Sequence, residues 1–137
     1  MNVVEYKDFT NDPIDPQEKA LHGSFMTSLI GSNNSDCLGI APEADLFILK
    51  VFNKNHESFT EWFLEAFNFA LKHDVDIINL SNGSSDFLDE PFVAKIQELI
   101  SKGIIIVAAI GNEGPEHGTL SNPGDMIEVI GVGSLND

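Results

Sequence analysis

The chain has 137 residues, 42% of them hydrophobic, and 22 acidic residues face 7 lysines and no arginine, for a net charge of −15. This length and apolar content suit one globular domain with a hydrophobic core. The charge argues against nucleic acid or an anionic membrane surface as a partner, because no cationic surface is available to displace counterions from phosphates.

The N-terminal part of the sequence is mainly polar. Residues 1–21 include two prolines, so we expect an irregular lead-in to a domain that occupies residues 22–137. The N-terminus lacks the apolar core of a signal peptide, and no stretch approaches the length of a membrane span. An apolar segment that opens at His22 is compatible with a short helix ending near Gly31.

The rest of the sequence alternates between strand and helix patterns. Apolar runs predict four strands: Ala44–Phe52, Val75–Leu80, Ile104–Ile110 and Ile127–Val132. The third run has seven consecutive apolar residues, which predicts a strand buried on both faces. Apolar residues at helical spacing predict one helix after Ser58 and another from Asp89 to Gly103. The alternation predicts an α/β fold with a doubly wound parallel sheet and flanking helices.

Two of these strands end in polar and flexible residues. The second predicted strand is followed by Ser81, Asn82 and Gly83, and the third runs into Gly111 and Asn112. Ligands on open α/β sheets bind beyond the carboxyl ends of the strands. We therefore expect both segments at one edge of the sheet, where chemistry would take place.

Two side chains at these places suit acyl-transfer chemistry. The side-chain amide of Asn112 has two donors that can stabilise an oxyanion, although a Gly-Asn pair also fits simple turn chemistry. His22 can act as a general base because the unperturbed pKa of histidine is about 6.5, although a lone histidine is more often structural. None of the 4 histidines lies at metal-ligand spacing from another, so no metal site is predicted.

Four segments become informative when they are taken together. They are His-Gly-Ser at 22–24, Gly-Ile-Ala-Pro at 39–42, Asp-Ile-Ile-Asn-Leu-Ser at 76–81 and Ala-Ala-Ile-Gly-Asn-Glu-Gly at 108–114. Their order and spacing closely resemble the middle of the subtilisin-like serine proteases (subtilases), which implies a partial subtilisin-like domain, incomplete at both ends. Residues 58–68 and 118–123 resemble a membrane-bound branch of that family, which implies a location in the secretory pathway, at the endoplasmic reticulum or Golgi membrane.

The resemblance implies a role for each candidate residue. His22 would be the general base and Asn112 the side-chain donor of the oxyanion hole, in cleavage of peptide bonds through an acyl-enzyme. The backbone of a peptide or protein substrate would pair with Ser81, Asn82 and Gly83. One wall of the primary specificity pocket would be formed by Ala108, Ala109, Ile110 and Gly111. No cofactor is expected, apart from calcium in a full domain, which the loop at 33–37 could approach.

The sequence also departs from the family pattern. The family's aspartate lies in an Asp-Ser/Thr-Gly motif, and none of Asp8, Asp12 and Asp15 precedes Ser/Thr-Gly. The nucleophile of the family belongs to a Gly-Thr-Ser motif far downstream, and the only Gly-Thr here, at 118–119, continues with Leu120, so Ser121 is no substitute. We therefore expect the 137-residue chain to be proteolytically inactive by itself. Further departures from the usual residues are Leu21, Thr27-Ser28 and Asn82.

Three functions stay open on this basis. The leading hypothesis is a subtilisin-like serine endopeptidase, represented by its central segment. The second is a non-catalytic relative that keeps the peptide groove and binds extended peptides. The third is a nucleotide-binding module, which only Gly131-Val132-Gly133 supports, because the sequence contains no Gly-x-Gly-x-x-Gly motif.

Overall fold

A computed structural model of the chain describes residues 1–12, 21–85 and 87–135. The chain divides into two compact units, Met1–Trp62 and Phe63–Asp137. Each unit contains a parallel sheet, and helices alternate with the strands along the chain. The predicted α/β class is therefore confirmed, with the parallel strands divided between two sheets.

The first unit is built around a two-stranded parallel sheet. Its elements in chain order are β1 (Asn2–Asp8), α1 (Leu21–Gly31), β2 (Asn33–Asn34), β3 (Cys37–Leu38) and β4 (Asp45–Lys50). Strands β1 and β4 form the parallel pair, and β2 and β3 form a short antiparallel hairpin. The helix predicted to start near His22 and the first predicted strand are thus confirmed as α1 and β4.

The predicted irregular lead-in is wrong for residues 2–8, because these residues form β1. The side chains of this strand are largely exposed, and its backbone pairs with β4 on one side. Such a strand needs no long apolar run, which is the pattern by which buried strands are recognised in a sequence. The remaining part of the predicted lead-in, at 13–20, lies outside the described residues.

Asp8 connects the ends of β1 and β4. Its carboxylate accepts hydrogen bonds from the backbone N–H and the hydroxyl of Thr10, at 2.8 and 2.6 Å, and Lys50 Nζ lies 3.2 Å from it. Burial raises the pKa of Asp8, but the hydrogen bonds from Thr10 and the charge of Lys50 outweigh burial and lower the pKa below its ordinary value. The folded chain therefore favours the ionised carboxylate.

The second unit contains a three-stranded parallel sheet in the order β5-β6-β7. The remaining elements of the chain are α2 (Thr60–Lys72), β5 (Ile77–Leu80), α3 (Glu90–Ser101), β6 (Ile105–Ala109) and β7 (Ile130–Val132). The register places Leu80 beside Ala108, and Val107 beside Ile130. The strands and helices that the sequence predicts in this region are confirmed, with β6 at the centre of the sheet.

Helix α3 packs against one face of this sheet, and α2 packs against α3. They contact each other through Phe63 and Phe92, whose rings meet edge to face with centroids 5.5 Å apart. Ile96 and Leu99 of α3 are fully buried, and Ile106 of β6 is only 1% exposed. Side chains alternate between the two faces of a strand, so the helix layer lies against the face that carries Ile106.

Both ends of α3 lie where the sequence predicts them. An oxygen of the Asp89 carboxylate accepts a hydrogen bond from the Phe92 N–H at 3.1 Å, so Asp89 is the N-cap. Gly103 follows the helix with φ of 89°, a conformation that glycine adopts without steric cost. Asp89 and Gly103 thus mark the two ends of α3.

The opposite face of the sheet is open. Ile77, Ile105 and Ile130 are 59%, 49% and 54% exposed. The prediction that the strand at Ile104–Ile110 is buried on both faces is therefore wrong for the part of the chain that the structure describes. An apolar run indicates which residues can be buried, and it does not indicate whether helices of the same chain cover both faces.

The carboxylate of Asp8 should make folding depend on pH. Because its pKa is lower in the folded chain, it stabilises the fold above its unfolded pKa of about 3.9, and this contribution is lost as the pH falls through the folded pKa. We expect Asp8→Asn to lower the free energy of unfolding by about 1–2 kcal/mol at pH 7. Below about pH 4, the free energy of unfolding should also fall less in this variant than in the wild type. The free energies are measured by urea denaturation at several pH values.

Thr10→Val serves as a second variant, because it removes one of the two bonds that Thr10 donates to the carboxylate. We expect its unfolding free energy and its pH dependence to lie between those of the wild type and Asp8→Asn. Identical pH dependence in the wild type and Asp8→Asn would contradict this account.

Candidate functional site

The carboxyl ends of β5 and β6 lie side by side in the second unit. Leu80, the last residue of β5, is paired with Ala108 near the end of β6. Since the two strands are parallel, Ser81–Gly83 and Ile110–Asn112 leave the sheet at the same edge. This confirms the predicted placement of the two segments.

A third segment, Thr119–Pro123, closes this edge, and we call it the crossing segment. Ser84 and Asn122 exchange two backbone hydrogen bonds, at 2.8 and 3.1 Å. The Ser121 N–H donates to the carbonyl of Ile110 at 2.9 Å. The crossing segment is therefore bonded to the chain beyond β5 and to the chain beyond β6.

Two glycines allow the crossing segment to approach so closely. A Cβ atom on Gly83 would lie 2.7 Å from the Cβ of Ser121, and one on Gly111 would lie 2.8 Å from the Ser121 hydroxyl oxygen. Gly111 also has φ of 108°, which L-residues rarely adopt. The side chain of Ser121, only 8% exposed, thus fills the space between the two strand ends.

Ser121 is not among the residues that the sequence predicts for this site. The sequence analysis considers Ser121 only as a possible nucleophile and rejects it, because Leu120 separates it from Gly118-Thr119. The available signal was the presence of a glycine at both strand ends, because paired glycines indicate close approach of another part of the chain. That signal does not identify which segment approaches.

Asn112 is exposed to solvent at this edge. Its backbone N–H donates to a carboxylate oxygen of Glu113 at 2.8 Å. The same oxygen would lie 3.0 Å from a Cβ on Gly111, so the Glu113 side chain folds back over the strand end. The exposed side-chain amide can donate hydrogen bonds to the carbonyl oxygen of a ligand.

Eight of the nine predicted site residues lie together in the second unit. Ser81, Asn82 and Gly83 lie beside the end of β6, which carries Ala108 and Ala109 and is followed by Ile110, Gly111 and Asn112. His22 lies in the first turn of α1, in the first unit, and is exposed. The role of His22 stays a prediction.

The edge formed by these segments suits an extended peptide. Strand β5 is an outer strand of its sheet, so the chain that continues it can pair with the backbone of a ligand. Asn112 provides amide donors next to this edge, where they can bind a carbonyl oxygen or a developing oxyanion. The arrangement therefore places an outer strand and an exposed amide donor next to each other.

Among residues 1–12, 21–85 and 87–135, no group of three or more His, Cys, Asp or Glu side chains could hold a metal ion. The loop at 33–37 forms the β2–β3 hairpin, in which the Asn34 side-chain oxygen accepts a hydrogen bond from the Asp36 N–H at 2.9 Å. None of the helices in these residues is long and apolar enough to cross a bilayer.

Comparison with known sequences agrees with the resemblance seen in the four motifs. The model of the subtilase family matches residues 2–137. The human membrane-bound transcription factor site-1 protease is 46% identical over 98% of this chain and 13% of its own length. A subtilisin-like protease of Arabidopsis thaliana is 47% identical over 85% of this chain and 11% of its own length. The major intracellular serine protease of Bacillus subtilis (strain 168) is 34% identical over 98% of this chain and 45% of its own length.

Solved structures show the same fold. Sphericase superimposes with a TM-score of 0.79 and 30% identity, covering 98% of this chain and 47% of that chain. A mutant of the protease domain of PatA has a TM-score of 0.79 and 23% identity, with coverage of 99% and 50%, and shows the fold alone. The chain therefore spans half or less of the length of these proteins, and about an eighth of the human relative.

The close contact between Gly111 and Ser121 leads to a test of the site's architecture. Alanine at Gly111 would place a Cβ 2.8 Å from the Ser121 hydroxyl oxygen and 3.1 Å from the Thr119 carbonyl oxygen, at a φ that disfavours L-residues. We expect Gly111→Ala to lower the free energy of unfolding by at least about 1–2 kcal/mol, measured by chemical denaturation.

Gly114→Ala is the matched control, because a Cβ at Gly114 would meet no atom within 4 Å. Its stability should stay within about 0.5 kcal/mol of the wild type. Adding Ser121→Gly to Gly111→Ala should restore part of the loss, since the substitution removes the nearest side chain. Equal effects of the two alanine variants would show that the crossing segment is not packed against Gly111.

Proposed function

Because the chain belongs to the subtilase family, we propose that it is the central segment of a subtilisin-like serine endopeptidase that cleaves peptide bonds through an acyl-enzyme. The observation that carries the proposal is the juxtaposition of Ser81–Gly83 with Gly111–Asn112 at one sheet edge. Cleavage of a bound peptide needs one segment that binds the substrate backbone and a second that stabilises the oxyanion, and the two must lie side by side.

In this proposal the substrate lies extended along Ser81–Gly83. Its backbone pairs with these residues, as peptides do when they add to an exposed strand. Ala108–Gly111 forms one wall of the pocket for the side chain next to the scissile bond, and Ser121 closes the space between the strand ends. The buried position of Ser121 between Gly83 and Gly111 supports this arrangement.

Two residues would take part in the reaction itself. His22 would accept the proton of the nucleophilic hydroxyl and then donate it to the leaving amine. Asn112 would donate a hydrogen bond to the oxyanion of the tetrahedral intermediate, which is worth roughly 10²–10³ in turnover. The exposure of both residues supports this assignment, because both have to contact a substrate.

We further propose that the 137-residue polypeptide does not hydrolyse peptides by itself. Its sequence contains neither a Gly-Thr-Ser nor an Asp-Ser/Thr-Gly motif. In subtilisin, a member of the same family, loss of the serine costs on the order of 10⁶ in turnover. The oxyanion donor contributes far less, so it cannot compensate for a missing nucleophile.

The location of the protein follows from similarity alone. The human relative at 46% identity is described by its name as membrane-bound. Together with the segments that resemble a membrane-bound branch of the family, this supports a place at a membrane of the secretory pathway. The substrate would be a peptide or protein at that membrane.

A second function is favoured by one observation. Peptide binding at this edge needs only the segments Ser81–Gly83 and Gly111–Asn112, which lie side by side at the ends of β5 and β6. A subtilase-like protein without catalytic activity could use the same edge to bind extended peptides. The two functions differ in whether His22 and Asn112 still support catalysis when a nucleophile is supplied.

A chimera tests this difference. We expect the human site-1 protease to stay active when its matched segment is replaced by this chain, because the two are 46% identical over 135 residues. In the chimera, His22→Ala should lower kcat by on the order of 10⁶, and Asn112→Ala by roughly 10²–10³, in a peptide cleavage assay.

The matched control in the chimera is His56→Ala, which makes the same change at an exposed histidine for which no role is proposed. It should leave kcat within about twofold of the unsubstituted chimera, since surface substitutions are usually small in effect. A folded but inactive chimera would favour the non-catalytic peptide-binding function.

A fluorophosphonate probe, which reacts with activated serine nucleophiles, tests the isolated chain. We expect no labelling of the 137-residue polypeptide under conditions that label an active subtilase. The adducts are read by intact-protein mass spectrometry. Stoichiometric labelling of one serine would overturn the proposal that the chain alone is inactive.

A further inference from the structure

Three segments of the sequence have the pattern Asn-x-Ser, which can accept an N-linked glycan. They begin at Asn33, Asn79 and Asn82. A glycan is bulky and hydrophilic, so its asparagine has to lie at the surface with room around the side-chain amide. The three asparagines differ in this respect, because they lie in different parts of the fold.

Asn33 lies in the short hairpin that β2 and β3 form in the first unit. Asn33, Asn34 and Ser35 are all exposed. In the part of the chain that the structure describes, no group is hydrogen-bonded to the Asn33 side chain, whereas the Asn34 side-chain oxygen is bonded to the Asp36 N–H. The Asn33 amide nitrogen is therefore available, and the Ser35 hydroxyl that completes the pattern is accessible beside it.

The base of this hairpin is fixed to the end of α1. The Gly39 N–H donates to the carbonyl of Ser32 at 2.8 Å. A Cβ on Gly39 would lie 2.6 Å from the carbonyl oxygen of Ile30, so the two segments are in close contact. Residues 33–38, by contrast, are all exposed. A glycan on Asn33 therefore leaves the contacts at the base of the hairpin intact.

The other two asparagines have less room. Asn79 lies within β5, and its side-chain amide donates to the hydroxyl oxygen of Ser81 at 2.8 Å. Leu80, the middle residue of this triplet, is only 7% exposed. Asn82 is half-buried beside the end of β6, and the backbone of Ser84 in its triplet is bonded to the crossing segment. At both positions a glycan would be attached to packed parts of the sheet.

We propose that Asn33 is a site of N-linked glycosylation, with a polyprenyl diphosphate-linked oligosaccharide as the sugar donor. The proposal rests on the proposed location in the secretory pathway, where a transferase supplies this chemistry. In the transfer, the Asn33 amide nitrogen loses a proton to a base of the transferase and forms a bond to the first carbon of the sugar. The bond between this carbon and the diphosphate oxygen breaks, and the lipid diphosphate leaves.

The glycan would cover an apolar side chain of the hairpin. Asn33 pairs directly with Leu38, which is 63% exposed. Paired residues of antiparallel strands lie on the same face, with Cβ atoms about 4.5–5.5 Å apart. The first sugar therefore lies against Leu38, and the modification helps to keep this part of the first unit soluble.

Expression of the 137-residue chain behind a cleavable secretion signal in cultured animal cells tests the proposal. The signal brings the chain into contact with the transferase whatever its natural location. Glycosylation is read from a change in electrophoretic mobility that PNGase F reverses. The site is read by peptide mass spectrometry, because PNGase F leaves an aspartate in place of each modified asparagine. We expect a glycan at Asn33, with higher occupancy than at Asn79 or Asn82.

Substitutions in the hairpin identify the acceptor. Asn33→Gln should abolish the glycan at this position because it removes the acceptor amide, and Ser35→Ala should do so because it removes the hydroxyl of the pattern. Asn34→Gln is the matched control, since it changes the neighbouring amide and keeps the pattern. Its occupancy at Asn33 should equal that of the wild type.

Two results would overturn the proposal. They are an unmodified Asn33 in the wild-type chain and a higher occupancy at Asn79 or Asn82 than at Asn33. If little protein is secreted, occupancy is measured on the chain retained inside the cells, which has met the same transferase. An inactive chimera would leave these measurements unchanged, so a failure of the proposed protease function is distinguished from a failure of this proposal.

Discussion

The parallel pairing of β5 with β6 is the constraint on which the candidate site depends. The register that sets Leu80 beside Ala108 brings two segments, each following a different strand, to one edge of the sheet. The crossing segment then bonds to both of them, and this is possible only because Gly83 and Gly111 have no side chain. A shift of one residue in the pairing would turn every side chain of the strand to the other face and separate these contacts.

Helix packing explains why the sheet of the second unit has two different faces. Phe63 and Phe92 join α2 to α3, and Ile96 and Leu99 press against the sheet, so one face is sealed. The other face has comparable apolar residues and no cover within the unit. The first unit shows a related feature, because α1 exposes apolar side chains at helical spacing. These are Leu21, Phe25 and Leu29, which are 72%, 59% and 48% exposed. Both units thus present apolar side chains at their surface.

Much of this organisation could be predicted from local patterns in the sequence. Asp89 and Gly103 mark the ends of α3, because capping depends on residues a few positions apart. The apolar runs at β5 and β6 identify strands, and strand–helix alternation identifies the α/β class. Strand β1 could not be predicted in this way, since an exposed outer strand needs no apolar run. The role of Ser121 could not be predicted either, because its contact with Gly83 joins residues far apart in the chain.

The sequence by itself determined the family, through ordered motifs around His22, Asn79-Leu80-Ser81 and Gly111-Asn112. It also determined which side chains are apolar, where glycines allow unusual backbone conformations, and which side chains can take part in a reaction. Only the tertiary structure decided which apolar face is covered, which segment closes the site, and that Thr10 and Lys50 lower the pKa of Asp8. The physical reason is the range of the interactions. Capping, periodicity and turn preference act over a few residues, whereas burial and register are set by contacts between distant parts of the chain.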